Sequence, residues 1–251
     1  ILVFSVELVG STPALAVDFN PHFIISDGQL TDYNSMGLAA IQKFLDEKSA
    51  WLSTYIADYI DGGKRTVAEI IFLTSNIHKI SPKFILATMQ KEQSLVESPS
   101  PTQYQLDWAT GYGRCDDFDS CGPDNPTVQK FRGLAKQIDY AAGSMRFFLD
   151  NPDKTKFKIG LKTKIDGKDI TPTNQATANL YSYTPHLHGN ERFWKIWLDW
   201  FGQLYPDGSL LQEKKTAETW LIQRGTRRKI SKAALMSRFD LKKIILVDKN
   251  V

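Results

Sequence analysis

The chain has 251 residues, 42% of them hydrophobic and 12% aromatic, which suits a globular core plus a small second module and excludes disordered and fibrous classes. Its formal net charge of +3 hides an asymmetry: residues 151–251 carry 19 Lys and Arg against 10 Asp and Glu, whereas residues 1–150 carry 12 against 18. A basic C-terminal part could meet an anionic partner, but a solvated lysine-rich surface explains it as well, and no groove-reading motif points to nucleic acid.

In chain order, "ILVFSVELVGSTPALA" reads as the remnant of an export signal. A short apolar run precedes Ala14-Leu15-Ala16, the small-x-small pattern of a signal-peptidase site, and would make residues 1–16 removable. A native strand or membrane anchor is the alternative, although the run is short for a spanning helix and Glu7 interrupts it. Ser35 can cap a helix carrying Leu38, Ile41, Phe44 and Leu45 on one face, and "TVAE" at 66–69 is a capping box opening a helix through Ile77.

Ser81 and Pro82 start the next helix, the hydroxyl as N-cap and the proline at the first helical position. At 100° per residue, Phe84, Ile85, Thr88, Met89, Leu95 and Val96 share one arc and Ala87, Gln90, Lys91, Ser94 and Glu97 lie opposite. Glu92 falls inside the apolar arc, where an unpaired carboxylate is costly or keeps its proton. As plain structure it would turn to solvent or pair with Lys91 or Arg114.

Cys115 and Cys121 lie in "GRCDDFDSCGPDNP". In an exported chain a disulfide would close this short loop, contributing about 2 kcal/mol in the chain-entropy model. Two thiols without a further Cys/His pair do not make a zinc site. The acids mimic part of an EF-hand loop, but Cys121 and Val128 occupy positions where it needs other residues.

Asn125-Pro126 opens a long helix with Phe131, Leu134, Ile138, Ala142, Met145 and Leu149 three or four apart. "KFKIGLKTKIDGKDI" alternates around Asp166-Gly167 as a hairpin; "TNQATANLYS" and "ERFWKIWLDWFGQL" are helical. Beyond a boundary near Pro206, "ETWLIQRGTRRKIS" is a second hairpin turning near Arg224-Gly225, followed by a short helix from Ser231 and a last strand, "KKIILV". The expected fold is mainly α with small β elements (α+β), with residues 17–205 as the main domain and 206–251 as a β-rich module. "HLH" at 186–188 suggests a metal, but His22 and His78 are the only other histidines, so no metal or cofactor is expected.

"ISPKFILATMQKEQSL", "DWATGYGRCD" and "ATANLYSYTPHLHGNERFWKIW" together resemble the lysozyme-like superfamily, specifically secreted bacterial proteins related to soluble lytic transglycosylases and goose-type lysozymes. The resemblance covers about residues 60–204; the last 40 residues resemble a β-rich module often appended to such exported proteins. It implies a helical domain whose Glu92 is the general acid/base cutting a β-1,4 glycosidic bond of peptidoglycan. Two departures stand out: Gln93 intervenes so that Ser94 comes one place late, and Gly111-Tyr112-Gly113 stands where those families have a Gly-Leu-Met-Gln stretch.

The resemblance points to Gln93, Ser94, Gly111, Tyr112, Tyr181 and Tyr183 as substrate contacts, each tyrosine being equally readable as a core or rim aromatic. A hydrolase needs a second carboxylate, for which Asp107, Asp116, Asp117 and Asp119 are candidates, or plain solvated acids. With one clear acid the favoured reaction is that of a lytic transglycosylase forming a 1,6-anhydro-muramyl product. A muramidase or glucosaminidase and a non-catalytic wall-binding protein are the alternatives. The expected setting is outside the cytoplasm, as a monomer on glycan strands.

Overall fold

A computed structural model describes residues 19–48, 50–114, 121–202, 205, 208–223, 226–241 and 244–247. The signal remnant, Pro206, Cys115 and the acids at 116, 117 and 119 lie outside these. The fold is mainly α within an α+β arrangement, as expected.

In chain order come α1 (Asp27–Thr31), α2 (Leu38–Lys48), α3 (Ala50–Thr54), the hairpin β1 (Ile56–Asp58) and β2 (Lys64–Thr66), α4 (Val67–His78), α5 (Pro82–Gln93), α6 (Gln103–Asp107), α7 (Pro126–Gln129) and α8 (Leu134–Asp150). Then follow the hairpin β3 (Thr163–Ile165) and β4 (Lys168–Ile170), α9 (Gln175–Tyr183), α10 (Leu187–Phe201), β5 (Leu210–Glu213), β6 (Thr219–Gln223), β7 (Thr226–Ile230), α11 (Lys232–Arg238) and β8 (Ile244–Val247).

The capping box at the start of α4 forms as read: Thr66 Oγ1 accepts from the Glu69 N–H, and Glu69 Oε2 accepts from the Thr66 N–H. Two other caps differ. Ser81 makes no side-chain cap; its hydroxyl is buried against that of Ser35 at 3.2 Å, and Pro82 alone sets the start of α5. Ser35 is thereby spent, and α2 begins only at Leu38.

α5 is the central helix, packed by α4, α8 and α10. The face expected to lie opposite its apolar arc is therefore buried too, with Ala87, Gln90 and Lys91 all shielded by neighbours. The helix ends where Ser94 adopts a left-handed conformation (φ 51°), its N–H donating to the Gln90 carbonyl and that of Leu95 to Met89. One continuous core runs from Ile24 through Phe84, Ile138 and Tyr181 to Trp197.

The single helix expected from Asn125 is two. α7 stops at Gln129, and Gly133 at φ 110°, its N–H donating to the Asp107 carbonyl, redirects the chain into α8. This turn places Phe131 with Trp108, Cys121 and Val128 in a small satellite cluster. Cys121 is disulfide-bonded.

The first predicted hairpin turns at Asp166 (φ 46°) and Gly167 (φ 80°), a left-handed pair that matches strand twist. The Asp166 carboxylate then accepts from the Leu187 N–H at 2.7 Å, capping α10 from a distance. α10 begins four residues earlier than its sequence pattern suggested and takes in "LH" of the HLH stretch. The last strands form a sheet in the order β7-β6-β5-β8, with β5 and β8 parallel and the other pairs antiparallel. Leu211, Ile222 and Val247, with Tyr205, pack as a cluster of their own.

Candidate functional site

A cleft of about 900 Å³ opens beside the C-terminal end of α5. Because Ser94 ends the helix one residue after Gln93, Glu92 sits in the last turn, with its carboxyl directed into this cleft rather than along the packed length of the helix. Its side chain is 27% exposed.

One carboxylate oxygen, Oε1, accepts from Lys91 Nζ at 2.6 Å. The other, Oε2, lies against Gly111, where an added Cβ would stand only 3.0 Å from it. Glu92 is not the deepest charge of the pair: Lys91 is, with its side chain 6% exposed. Burial pulls the Lys91 ammonium below the usual lysine range, and the neighbouring Glu92 charge pulls it back.

Gly111 is carried by a loop that is fixed from beneath. Gln137 of α8, fully buried, takes the Thr110 and Tyr112 N–H groups on Oε1 and donates from Nε2 to the carbonyls of Tyr112 and Phe131. Tyr183, the last residue of α9, closes the same wall, its hydroxyl donating to the Thr110 carbonyl at 2.7 Å. Desolvation, with the nearby Glu92 charge second, pushes the Tyr183 phenol well above its usual range, so it stays a neutral donor. Tyr112 stacks on Tyr140 with centroids 5.3 Å apart, and burial raises its phenol as well.

Glu92, Gln93, Gly111, Tyr112 and Tyr183 thus line one cleft. Two expected contacts do not. Tyr181 is two residues from Tyr183, about 200° around the helix, so both cannot face the cleft; Tyr181 is fully buried, packs on Phe157 and donates to the Pro21 carbonyl. Ser94 caps the helix on the exposed side and accepts from Arg192 of α10 at 2.9 Å. Asp107 is likewise no cleft acid: Arg132 and Gln103 occupy both of its oxygens.

The carboxylate missed in the sequence is Asp139 of α8, which lines the cleft beside His78, its Oδ1 at 2.7 Å from His78 Nε2. A signal for it exists in Gly143, a glycine inside a helix, which costs about 1 kcal/mol relative to Ala. A Cβ at Gly143 would stand 3.2 Å from the His78 ring, so the glycine is what seats the histidine. His186 of the HLH stretch lines the cleft too, held by Asp166 at 3.1 Å. Among the described residues no group of three or more His, Cys, Asp or Glu is placed to hold a metal ion.

The arrangement can donate and recover a proton at a half-buried carboxyl, beside aromatic surface of the kind that stacks on sugar rings. Comparison with known proteins gives one family: the model described as LasA, N-terminal domain, matches residues 23–122, about two-fifths of the chain. The matched stretch includes Glu92 and Gly111 but stops short of Asp139 and Tyr183. No curated protein and no solved structure matches. Among the described residues no helix is long and apolar enough to cross a membrane.

Proposed function

We propose that this chain acts outside the cytoplasm on bacterial peptidoglycan, cutting the β-1,4 link with Glu92 as general acid and then general base. The observation that carries the reading is the placement of Glu92: a half-buried carboxyl in the last turn of a buried helix, lining an aromatic-walled cleft with one oxygen held by Lys91 and the other against Gly111. In the favoured reaction, protonated Glu92 gives its proton to the glycosidic oxygen as the C1–O bond breaks. The resulting carboxylate takes the proton of the muramyl 6-hydroxyl as that oxygen bonds to C1, closing a 1,6-anhydro ring. The sequence resemblance to soluble lytic transglycosylases supports this.

Asp139 favours a second reading. A carboxylate in the cleft, oriented by His78, is what a hydrolase would use to activate water.

One experiment serves both. Glu92→Gln keeps size and hydrogen bonding but cannot donate the proton, so it should lower release of muropeptides from purified peptidoglycan by roughly 10²-fold or more while leaving folding intact. Retained activity would end the assignment. Mass spectrometry of the wild-type products then separates the two reactions: anhydro-muramyl ends, one water lighter, for the transglycosylase, or reducing ends that diminish in Asp139→Asn for the hydrolase.

A further inference from the structure

Nothing in its sequence position explains why Lys91 should be buried, yet a complete pocket is built around it. Its Nζ donates to Glu92 Oε1 and to Thr184 Oγ1, both at 2.6 Å, and stands 5.6 Å from the centroid of the Tyr183 ring. Thr184 is itself held in place: its carbonyl accepts from Asn190 Nδ2, and its methyl sits where a Cβ at residue 189 would come within 2.6 Å, so Gly189 is required for it to fit. A lysine costs several kcal/mol to bury unpaired, and this one is paired with the cleft carboxylate at the end of its own helix. With Oε1 engaged, Oε2 is the oxygen left, lying against Gly111 in the cleft wall.

We propose, building on the reading of Glu92 as the acid/base, that Lys91 is its positioning residue: it clamps Oε1, leaves Oε2 as the oxygen that exchanges protons with the substrate, and sets the pH range in which the carboxyl works. When Glu92 gives up its proton, the ammonium beside Oε1 holds the carboxylate in place until it recovers one. The charged and titratable groups facing this pair are Arg192 from α10, Tyr183 from the end of α9 and Tyr112 from the 110–112 loop. The His78–Asp139 pair, His186, which is held by Asp166, and Arg114 line the same cleft. Burial first, and Arg192 after it, disfavour the Lys91 charge, and Glu92 favours it.

The test needs no substrate. In the protein labelled with ¹⁵N at the lysine side chains, the Lys91 Nζ signal, assigned by its loss in Lys91→Arg, should titrate below the other lysines, and lower still in Glu92→Gln, where the amide keeps the hydrogen bond but not the charge. A Lys91 that titrates with the remaining lysines, or that is unmoved by Glu92→Gln, overturns the proposal. In the cleavage assay Lys91→Met should reduce kcat about tenfold or more with KM unchanged and move the alkaline limb of the pH–rate profile upward by about one unit, the size of effect a lost neighbouring cation produces. Lys91→Arg should keep the limb of the wild type. An unmoved limb in a folded Lys91→Met protein refutes the role; if that variant does not fold, the titrations of wild type and Glu92→Gln decide. A Glu92→Gln protein that still cleaves peptidoglycan would instead refute the glycan-cleaving reading and leave the Lys91 titration standing.

Discussion

Replacing Gly111 by alanine tests whether the Glu92 carboxyl depends on its wall. An added Cβ would stand 3.0 Å from Oε2, 3.1 Å from Cδ and 3.3 Å from Cγ of Glu92. Ordinary contact begins near 3.4 Å, so the carboxyl must retreat by about half an ångström. The retreat draws against the 2.6 Å contact of Oε1 with Lys91. A misplacement of about 1 Å costs up to about 10²-fold in rate, so a loss of about tenfold is expected. Gly111 also has φ +67°, and an L-residue there costs about 1 kcal/mol irrespective of Glu92. Gly160, at φ +73° with no atom within 4 Å of its would-be Cβ and no place on the cleft, separates the two effects. Gly111→Ala and Gly160→Ala should both lower Tm by roughly 2–4 °C, while only Gly111→Ala slows muropeptide release. Wild-type cleavage by Gly111→Ala, or an equal loss in Gly160→Ala, would refute the reasoning.

Gln137→Leu strips the buried partner from the N–H groups of Thr110 and Tyr112 and from the carbonyls of Tyr112 and Phe131. At about 1 kcal/mol or more for each of the four orphaned groups it should cost about 4 kcal/mol or more, read in urea unfolding, and a loss under about 1 kcal/mol would show that this amide does not hold the loop. Asp166 has its carboxyl held below the usual range by the Leu187 N–H first and by His186 second. The stability it contributes is therefore full above the ordinary aspartate range and is lost as pH falls through the lowered folded-state value. Asp166→Asn, which suits the left-handed turn, should cost less than about 1 kcal/mol at neutral pH because the site is partly exposed and screened. The difference from wild type should vanish in acid; a difference that persists there would refute the charge argument.

What the sequence determined by itself is local. Thr66 and Glu69 make a capping box because both partners lie within one turn. Pro82 sets a helix start through its own ring, and Asp166-Gly167 turns a hairpin because those two residues accept positive φ. The placement of Glu92 on the apolar arc of α5 was legible for the same reason. Tertiary structure decided the rest. α10 packs over α5, whose flank opposite the apolar arc is buried as well, so Lys91 became the buried partner of Glu92. Helical phase allowed only one of Tyr181 and Tyr183 to reach the cleft, and with α9 packed on α8 it is Tyr183, its hydroxyl on the Thr110 carbonyl, while Tyr181 is buried. Asp139 met His78 across 61 positions of sequence, a contact that no window of local pattern contains; only its trace, the glycine at 143, was written beside it. A period reveals which face of a helix is apolar, but which neighbours cover the other face, and which charges they trap, depends on contacts between residues far apart in the chain.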